Sequence, residues 1–192
     1  EKHMGIDCRN PLVISVSNSG TGARVSEAVQ RARKYGCYVL GVTGNLDSPL
    51  AEYSDKVLKL DIPGFESAPG TRSYLVSVMS LLLLAIRWAE VRGKLTQDQA
   101  MDYRMDIKNQ GKLLRELLPE METKCEKLAE EWKDFPCYDF IGAGFDYATA
   151  WFGQAKILEA TGKFAMHINS EEWFHLTFFA RDAIHMGTVV VA

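Results

Sequence analysis

Short apolar runs alternate with helical patterns in the first third of the chain. Residues 11–16 and 37–42 are largely apolar runs of the length of buried strands. Between them, residues 23–35 carry apolar side chains at helical spacing, and Gly36 follows at the position of a helix C-cap. A third strand is predicted at residues 56–60. Because strands that alternate with helices pair in parallel, this pattern predicts a parallel sheet.

The middle of the chain has mainly helical patterns. Ser48-Pro49 is typical of a helix start and predicts a short helix before the third strand. After a loop rich in proline and glycine, an apolar helix is predicted at about residues 71–91. From Thr96 to Trp132 the composition becomes charged while apolar residues keep helical spacing, which predicts a helical connector.

The last third repeats the order of the first. A predicted strand at residues 137–141 is followed by the turn Gly142-Ala143-Gly144 and a helix at residues 148–161. Gly162 is placed to cap that helix, and a strand is predicted at residues 164–168. The layout of strand, glycine loop, helix and strand therefore occurs twice.

These patterns predict an α/β fold of three-layer parallel sheets flanked by helices, in two subdomains. The predicted boundaries are 1–95 for the first subdomain, 96–134 for the connector and 135–192 for the second. The apolar run at residues 188–192 stops without a covering element, and the first ten residues lead straight into a strand. We therefore expect the chain to be incomplete at both ends.

Composition narrows the expected partners and location. The 192 residues are 47% hydrophobic, enough for a sizeable core, and the formal net charge is −3. Such a small, evenly spread charge does not favour nucleic acid or an acidic membrane surface, so a small metabolite is the expected partner. Leu75–Ile86 is shorter than the roughly 20 residues of a membrane span, which predicts a buried helix. No basic-then-apolar leader opens the chain, and a cytoplasmic location is expected.

The cysteines give no sign of a metal site. The chain has four cysteines and no Cys-x-x-Cys pair, so neither a zinc site nor a redox motif is predicted. We expect buried thiols: Cys8, Cys37, Cys125 and Cys137.

The loop Ser17-Asn18-Ser19-Gly20-Thr21-Gly22, between the first strand and first helix, is a candidate anion site. It offers exposed backbone N–H groups, the positive end of a helix and hydroxyl donors, all of which suit phosphate. No Lys follows the glycines and the third glycine of the dinucleotide pattern is missing, so a sugar phosphate fits better than a nucleotide. The alternative is an ordinary helix cap, in which serine and glycine serve only the turn.

The same residues resemble a known family. Leu12-Val13-Ile14-Ser15-Val16-Ser17-Asn18-Ser19-Gly20 is similar to the signature of the sugar isomerase (SIS) domain, whose usual pattern is Ser-x-Ser-Gly-x-Thr. Here Gly22 stands where the Thr is expected. The resemblance continues through Gly41-Val42-Thr43 and from Gly64-Phe65-Glu66 to Thr71, where such proteins carry a sugar-contacting loop. It implies a phosphate cradle formed by Ser17, Asn18, Ser19 and Thr21, with Thr71 at the sugar.

A second resemblance lies in the predicted helix 148–161. Lys156 and Glu159 are three residues apart and so share one helix face, where a solvated ion pair is the simple explanation. However, Gln154-Ala155-Lys156-Ile157-Leu158-Glu159 is similar to the family's Ala-Leu-Lys-Leu-Lys-Glu stretch, whose last residue is the general base of amino-sugar isomerases. The resemblance implies that Glu159 is a catalytic base and that Lys156 contacts substrate.

A third resemblance follows the predicted strand 164–168. Glu172 and His175 lie in Ser170-Glu171-Glu172-Trp173-Phe174-His175, where a loop histidine with an acidic neighbour is the simple explanation. The stretch also looks like the family's Glu-x-x-His-Gly-Pro segment, whose His helps to open the sugar ring and is often supplied by a neighbouring subunit. Leu176-Thr177 replaces the Gly-Pro. The resemblance implies that His175 is catalytic, with Glu172 as possible support.

The resemblance implies cofactor-independent chemistry on a sugar phosphate, with a carboxylate base for proton transfer and an imidazole for ring opening. Two outcomes share this chemistry: deglycation of a fructosamine 6-phosphate, which releases an aldose phosphate and an amine, and plain aldose–ketose isomerisation. The double-domain layout and the segment Glu172-Trp173-Phe174-His175 resemble the fructosamine-6-phosphate deglycase branch. The chain also resembles the isomerase part of glucosamine-6-phosphate synthase. A sugar-phosphate-sensing module and a purely structural domain remain alternatives. The apolar helices predict a homodimer or higher oligomer with sites shared between subunits.

Overall fold

The computed structural model of the chain describes residues 11–64, 69–180 and 185–192. These residues form two compact units, which divide between Lys108 and Asn109. Each unit contains a three-stranded parallel sheet. The predicted α/β class, with parallel sheets flanked by helices, is therefore confirmed. The three-part division at residues 95 and 134 stays a prediction.

The first unit has strand order β1-β2-β3, which is also the order along the chain. Each strand ends at the same edge of the sheet, because Val16 pairs with Val42 and Thr43 pairs with Lys59. Its elements are β1 (Leu12–Val16), α1 (Ala23–Lys34), β2 (Tyr38–Thr43), α2 (Pro49–Glu52), β3 (Lys56–Lys59) and α3 (Thr71–Val91).

The core of this unit forms where α1 and α2 cover β2. In α1 the buried residues recur at helical spacing, Ser26, Val29 and Ala32, which fixes the face that packs on the sheet. Ser48 caps α2, since its side chain accepts a hydrogen bond from the backbone N–H of Ala51. Val29, Ala32, Cys37, Val39 and Leu50 make up the packed cluster.

The helix α3 differs from its prediction. It was expected to be buried, but none of its residues is buried within the described part of the chain, and Leu75 and Leu82 are more than half exposed. Apolar composition shows that a helix needs a covering surface without showing which surface supplies it. At its C-terminal end Glu90 joins α3 to the next helix through Arg104, and Arg104 and Arg87 hold the pKa of Glu90 below its usual range.

The length of α3 also changes the membrane comparison. All 21 residues from Thr71 to Val91 are helical and have a mean hydropathy of 1.7, so by length and composition the helix could cross a membrane. The shorter stretch Leu75–Ile86 underestimated it. One such helix is weak evidence, because core helices of soluble proteins pass the same test.

The second unit has strand order β5-β4-β6. The strand β4 is therefore central, and the chain passes from the edge strand β5 to the opposite edge strand β6. The sheet of this unit is preceded by the 36-residue α4, which spans the division between the units. A Cβ at Gly142, which ends β4, would lie 2.5 Å from the carbonyl oxygen of Asp146, so the tight turn into α5 requires glycine. The elements are α4 (Gln97–Trp132), β4 (Cys137–Gly142), α5 (Asp146–Thr161), β5 (Phe164–Asn169), α6 (Ser170–His175), a 3₁₀ turn (Thr177–Ala180) and β6 (Met186–Val190).

The expectation of buried cysteines is only partly right. Cys37 is buried in the core of the first unit, Cys137 is half-buried, and Cys125 is exposed on α4. Cys8 lies outside the described residues. Met121 and Leu128, which share its face of α4, are exposed as well, so among the described residues nothing covers this face and Cys125 with it.

Candidate functional site

The loop between β1 and α1 turns sharply at Gly20. Its φ of +65° is in the left-handed region, and a Cβ there would lie 2.1 Å from Ser48 Oγ. The backbone oxygen of Gly20 accepts a hydrogen bond of 3.1 Å from the N–H of Leu50. The loop is therefore packed directly against the start of α2, and glycine is required at this point.

The hydroxyls of the loop first organise the loop itself. Ser17 Oγ accepts a hydrogen bond of 3.2 Å from the N–H of Gly20, and Ser19 Oγ accepts one of 3.1 Å from Thr21 Oγ1. Since each serine hydroxyl acts here as an acceptor, its own O–H can still donate to an anion. The Thr21 hydroxyl instead donates within the loop.

The N-terminus of α1 has no side-chain cap. Gly22 occupies the N-cap position, and no side chain accepts a hydrogen bond there. A Cβ at Gly22 would come no closer than 3.5 Å to another atom, so a threonine would fit the space. The missing hydroxyl therefore leaves the first-turn N–H groups of a 12-residue helix available to an anion.

Asn18 ties the loop to the end of β2. Its backbone oxygen accepts hydrogen bonds of 2.9 Å from the N–H of Gly44 and 3.1 Å from Thr43 Oγ1. Thr43 is fully buried, so this contact is fixed from beneath. The side chains of Asn18 and Ser19 are exposed above it.

A cavity of about 560 Å³ opens beside this loop, at the carboxyl ends of β1, β2 and β3. Parallel α/β sheets bind ligands at this edge. Of the predicted residues, Asn18 and Ser19 line the cavity, whereas Ser17, Thr21 and Thr71 do not. The full lining is Asn18, Ser19, Gly44, Asn45, Lys59, Leu60, Asp61, Ile62, Pro69, Gly70, Arg72 and Ser73.

Three charged residues of this lining were missed by the sequence prediction. Lys59 is the last residue of β3 and Asp61 lies two residues later, with Lys59 Nζ 3.7 Å from Asp61 Oδ1. Arg72 lies in the first turn of α3. Lys59 and Asp61 are well exposed, so their attraction is weak and both stay available to a ligand. The position of Lys59 and Asp61 at the carboxyl end of a strand of a parallel sheet was the signal that could have found these two residues.

In the second unit, Lys156 and Glu159 form a pair on the last turns of α5. Lys156 Nζ donates a hydrogen bond to Glu159 Oε2, as the spacing of three residues predicts. The lysine side chain is 20% exposed and its ammonium lies 5.1 Å from the centre of the Phe152 ring, while Glu159 is 53% exposed. The lysine is thus held in place and the carboxylate faces outward.

Glu172 and His175 lie in a short helix rather than in the expected loop. The α6 helix begins after Asn169, whose side chain accepts a hydrogen bond of 3.0 Å from the N–H of Glu171. His175 is the last residue of the helix, and both Glu172 and His175 are exposed. The Asn169 cap explains why a helix forms directly after a strand here.

Comparison with known proteins supports the family resemblance. Residues 6–87 match the family model described as the SIS domain, so the resemblance drawn from the motif around Ser17 and Ser19 is confirmed. The chain is 26% identical over 192 residues to the isomerizing glutamine–fructose-6-phosphate aminotransferase of Caldanaerobacter subterraneus subsp. tengcongensis. The match covers 96% of the chain but only 31% of that enzyme.

Solved structures agree on the fold. The C-terminal domain of glucosamine-fructose-6-phosphate aminotransferase from Francisella tularensis superposes with a TM-score of 0.86 at 23% identity, covering 93% of this chain and 50% of that one. Glucosamine-6-phosphate deaminase from Thermotoga maritima superposes with a TM-score of 0.69 at 21% identity, covering 94% and 51%. The chain thus spans about a third of the curated relative and half of each solved chain.

Proposed function

We propose that this SIS-domain protein is an enzyme that deglycates ketose-amine 6-phosphates, such as fructosamine 6-phosphates, by aldose–ketose isomerase chemistry. The observation that carries the proposal is the cavity at the carboxyl ends of β1, β2 and β3, lined by Asn18 and Ser19 beside the uncapped N-terminus of α1. Isomerase chemistry on a phosphosugar is supported by the match to the SIS domain and by the isomerizing relatives.

The phosphate is bound by the loop after β1. The Ser17 and Ser19 hydroxyls donate to it, together with the backbone N–H groups at the start of α1. Thr21 supports Ser19, and Asn18 and Thr71 contribute polar contacts to phosphate and sugar. Binding energy from this remote group holds the reacting carbons in place for the chemical step.

Glu159 is the general base, and Lys156 contacts the substrate beside it. The carboxylate removes a proton from C1 of the open-chain ketose-amine, which gives an enolamine. The resulting Glu159 carboxylic acid exchanges its proton with solvent and then protonates C2. The product is an imine at C1. Water adds to that imine and the C1–N bond breaks, which releases the aldose 6-phosphate and the amine without any oxidant, metal or cofactor.

His175 opens the sugar ring before this transfer. A neutral imidazole near physiological pH can take the proton of the anomeric hydroxyl and return it to the ring oxygen. Glu172 lies three residues earlier in α6 and can orient the imidazole. Without an amine leaving group the same residues carry out plain aldose–ketose isomerisation, which the isomerizing relative makes the second candidate.

The protein is proposed to act as a cytoplasmic homodimer or higher homo-oligomer, in which subunits share sites. The support is the exposed apolar surface of α3, which an assembly of subunits would cover. Neither nucleic acid nor a membrane is proposed as a partner. A sensing module would bind the sugar phosphate without turning it over.

The function is tested by incubating the purified protein with fructosamine 6-phosphates and, separately, with fructose 6-phosphate, and following aldose 6-phosphate with a coupled assay. A deglycase forms aldose phosphate and free amine together from the first substrate. Formation of aldose phosphate from fructose 6-phosphate, without turnover of fructosamine 6-phosphates, would identify an isomerase. Binding of both compounds with turnover of neither would identify a sensing module.

Replacing Ser19 by alanine should weaken sugar-phosphate binding. A hydrogen bond to a charged group contributes about 1.5–3 kcal/mol, so the dissociation constant of fructose 6-phosphate should rise by about ten- to a hundredfold. Isothermal titration calorimetry measures it. The control is Thr123→Ala, which removes a hydroxyl on α4 that bonds only to the Pro119 carbonyl among described contacts. Equal affinities of the two variants would contradict the phosphate cradle.

A further inference from the structure

A buried carboxylate lies at the centre of the second sheet. Asp139 is the third residue of β4, between Met166 of β5 and Thr188 of β6, and its exposure is 0%. Burying a carboxylate is unfavourable unless it is hydrogen-bonded, and an apolar residue would serve a sheet core better. Burial raises the pKa of the nearby Cys137 thiol, and the Asp139 carboxylate raises it further. Its presence at this position therefore needs another explanation.

Asp139 binds the helix that carries His175. The indole Nε1 of Trp173, in the middle of α6, donates a hydrogen bond to Asp139 Oδ2. The other oxygen, Oδ1, is buried and has no hydrogen-bond partner among the described residues. The carboxylate is therefore committed to a single contact, and that contact is with α6.

Trp173 is the inward-facing residue of α6. Its ring is half-buried and packs edge-on against Phe178, with ring centres 5.7 Å apart, while Glu172 and His175 are exposed. Successive helical residues are rotated by about 100°, so His175 lies roughly 200° from Trp173 around the helix axis. The indole and the imidazole thus leave α6 on nearly opposite sides.

A six-residue helix cannot hold its own orientation. Isolated helices shorter than about 12 residues are marginal in water. Among the described residues, the ends of α6 have one side-chain cap, from Asn169, and one backbone hydrogen bond, from the N–H of Leu176 to the oxygen of Glu172. A single directional bond on its inner side, made to a rigid central strand, fixes rotation about the helix axis. Rotation about that axis is the motion that would displace the His175 imidazole most.

We propose that the Asp139–Trp173 hydrogen bond is a positioning device that sets the direction of His175 for the reaction. Asp139 and Trp173 act through α6 and do not touch the substrate. The inference rests on the proposed function for its effect on turnover, whereas its effect on α6 can be measured without any substrate.

The test compares Trp173→Phe, which keeps an aromatic ring but removes the N–H, with Asp139→Asn and Asp139→Leu. Asparagine keeps an acceptor oxygen of the same size, and leucine does not. The matched control is Trp151→Phe, since Trp151 stacks on His167 on the face of the sheet that α5 covers. Two measurements are made on each purified protein: hydrogen–deuterium exchange of the α6 amides without substrate, and kcat and KM for a fructosamine 6-phosphate.

Trp173→Phe and Asp139→Leu should both speed exchange across α6 and lower kcat by about ten- to a hundredfold with KM within about twofold. Asp139→Asn should restore most of kcat, and Trp151→Phe should change neither measurement. If Trp173→Phe does not fold, as judged by its thermal melt, Asp139→Leu carries the comparison with Asp139→Asn.

Unchanged α6 exchange in the folded variants would overturn the proposal, and so would faster exchange with an unchanged kcat. If the wild-type protein turns over neither substrate, the proposed function fails. Faster α6 exchange in the variants would then still support the anchor, because that readout needs no substrate.

Discussion

Replacing Glu159 by glutamine should abolish most turnover of a ketose-amine 6-phosphate while leaving sugar-phosphate binding intact. Glutamine keeps the size of the side chain and can still contact Lys156, but it cannot accept the proton from C1. A positioned general base contributes about 10²- to 10⁴-fold, so kcat should fall by that factor. The dissociation constant of fructose 6-phosphate should stay within about twofold, because the phosphate loop lies in the other unit of the chain.

The chain offers a matched control for this substitution. Glu130 accepts a hydrogen bond from Lys133 at the same spacing of three residues, and both side chains are exposed. Glu130→Gln removes an equivalent surface ion pair and should leave kcat unchanged, because such pairs contribute little. Equal kcat values for Glu130→Gln and Glu159→Gln would show that Lys156 and Glu159 are an ordinary ion pair.

Replacing Gly20 by alanine should destabilise the first unit and abolish phosphate binding. The substitution combines a positive φ with a Cβ placed 2.1 Å from Ser48 Oγ and 2.6 Å from Ser48 Cβ. Backbone strain and overpacking each cost about 1–3 kcal/mol, so the free energy of unfolding should fall by about 2–6 kcal/mol. Urea unfolding measures the change.

Gly36→Ala separates the two causes. Gly36 has a φ of +77°, similar to that of Gly20, but a Cβ there would meet nothing within 4 Å. Its variant therefore carries the backbone strain without the contact, and it should lose less stability and keep phosphate affinity. Equal losses for both variants would mean that packing of the loop against Ser48 does not constrain the site.

The local parts of the fold could be predicted from the sequence. The helix start at Thr71 and the Gly162 cap of α5 depend on neighbouring residues, and the structure agrees with both. The burial of α3 could not be predicted, because it depends on what covers the helix rather than on the helix itself. The helix α5 begins at Asp146, two residues before its predicted start, because the tight turn at Gly142 places Asp146 directly against the end of β4.

The candidate site was predictable where it is contiguous. Asn18 and Ser19 belong to one motif, whereas Asn45, Lys59 and Arg72 reach the same cavity from three separate segments, the loop after β2, the end of β3 and the first turn of α3. The parallel register of β1, β2 and β3 brings those segments to one edge of the sheet. That register cannot be predicted from any single segment of the sequence.

The Asp139 contact shows a different limit. A charged residue inside the apolar run 137–141 was visible in the sequence, but its partner Trp173 is 34 residues away. Until the fold is known, nothing connects a buried carboxylate in a strand to an indole in a later helix.

Turnover in D₂O tests the central proposal most directly. The protein is incubated with a fructosamine 6-phosphate, and the aldose 6-phosphate formed is analysed by proton NMR and mass spectrometry. Deglycation through an enolamine predicts one equivalent of free amine per aldose phosphate, with solvent deuterium at C2. Release of amine without deuterium at C2 would contradict proton transfer through solvent-exchanged Glu159, and binding of the substrate without any product would contradict the enzymatic function itself.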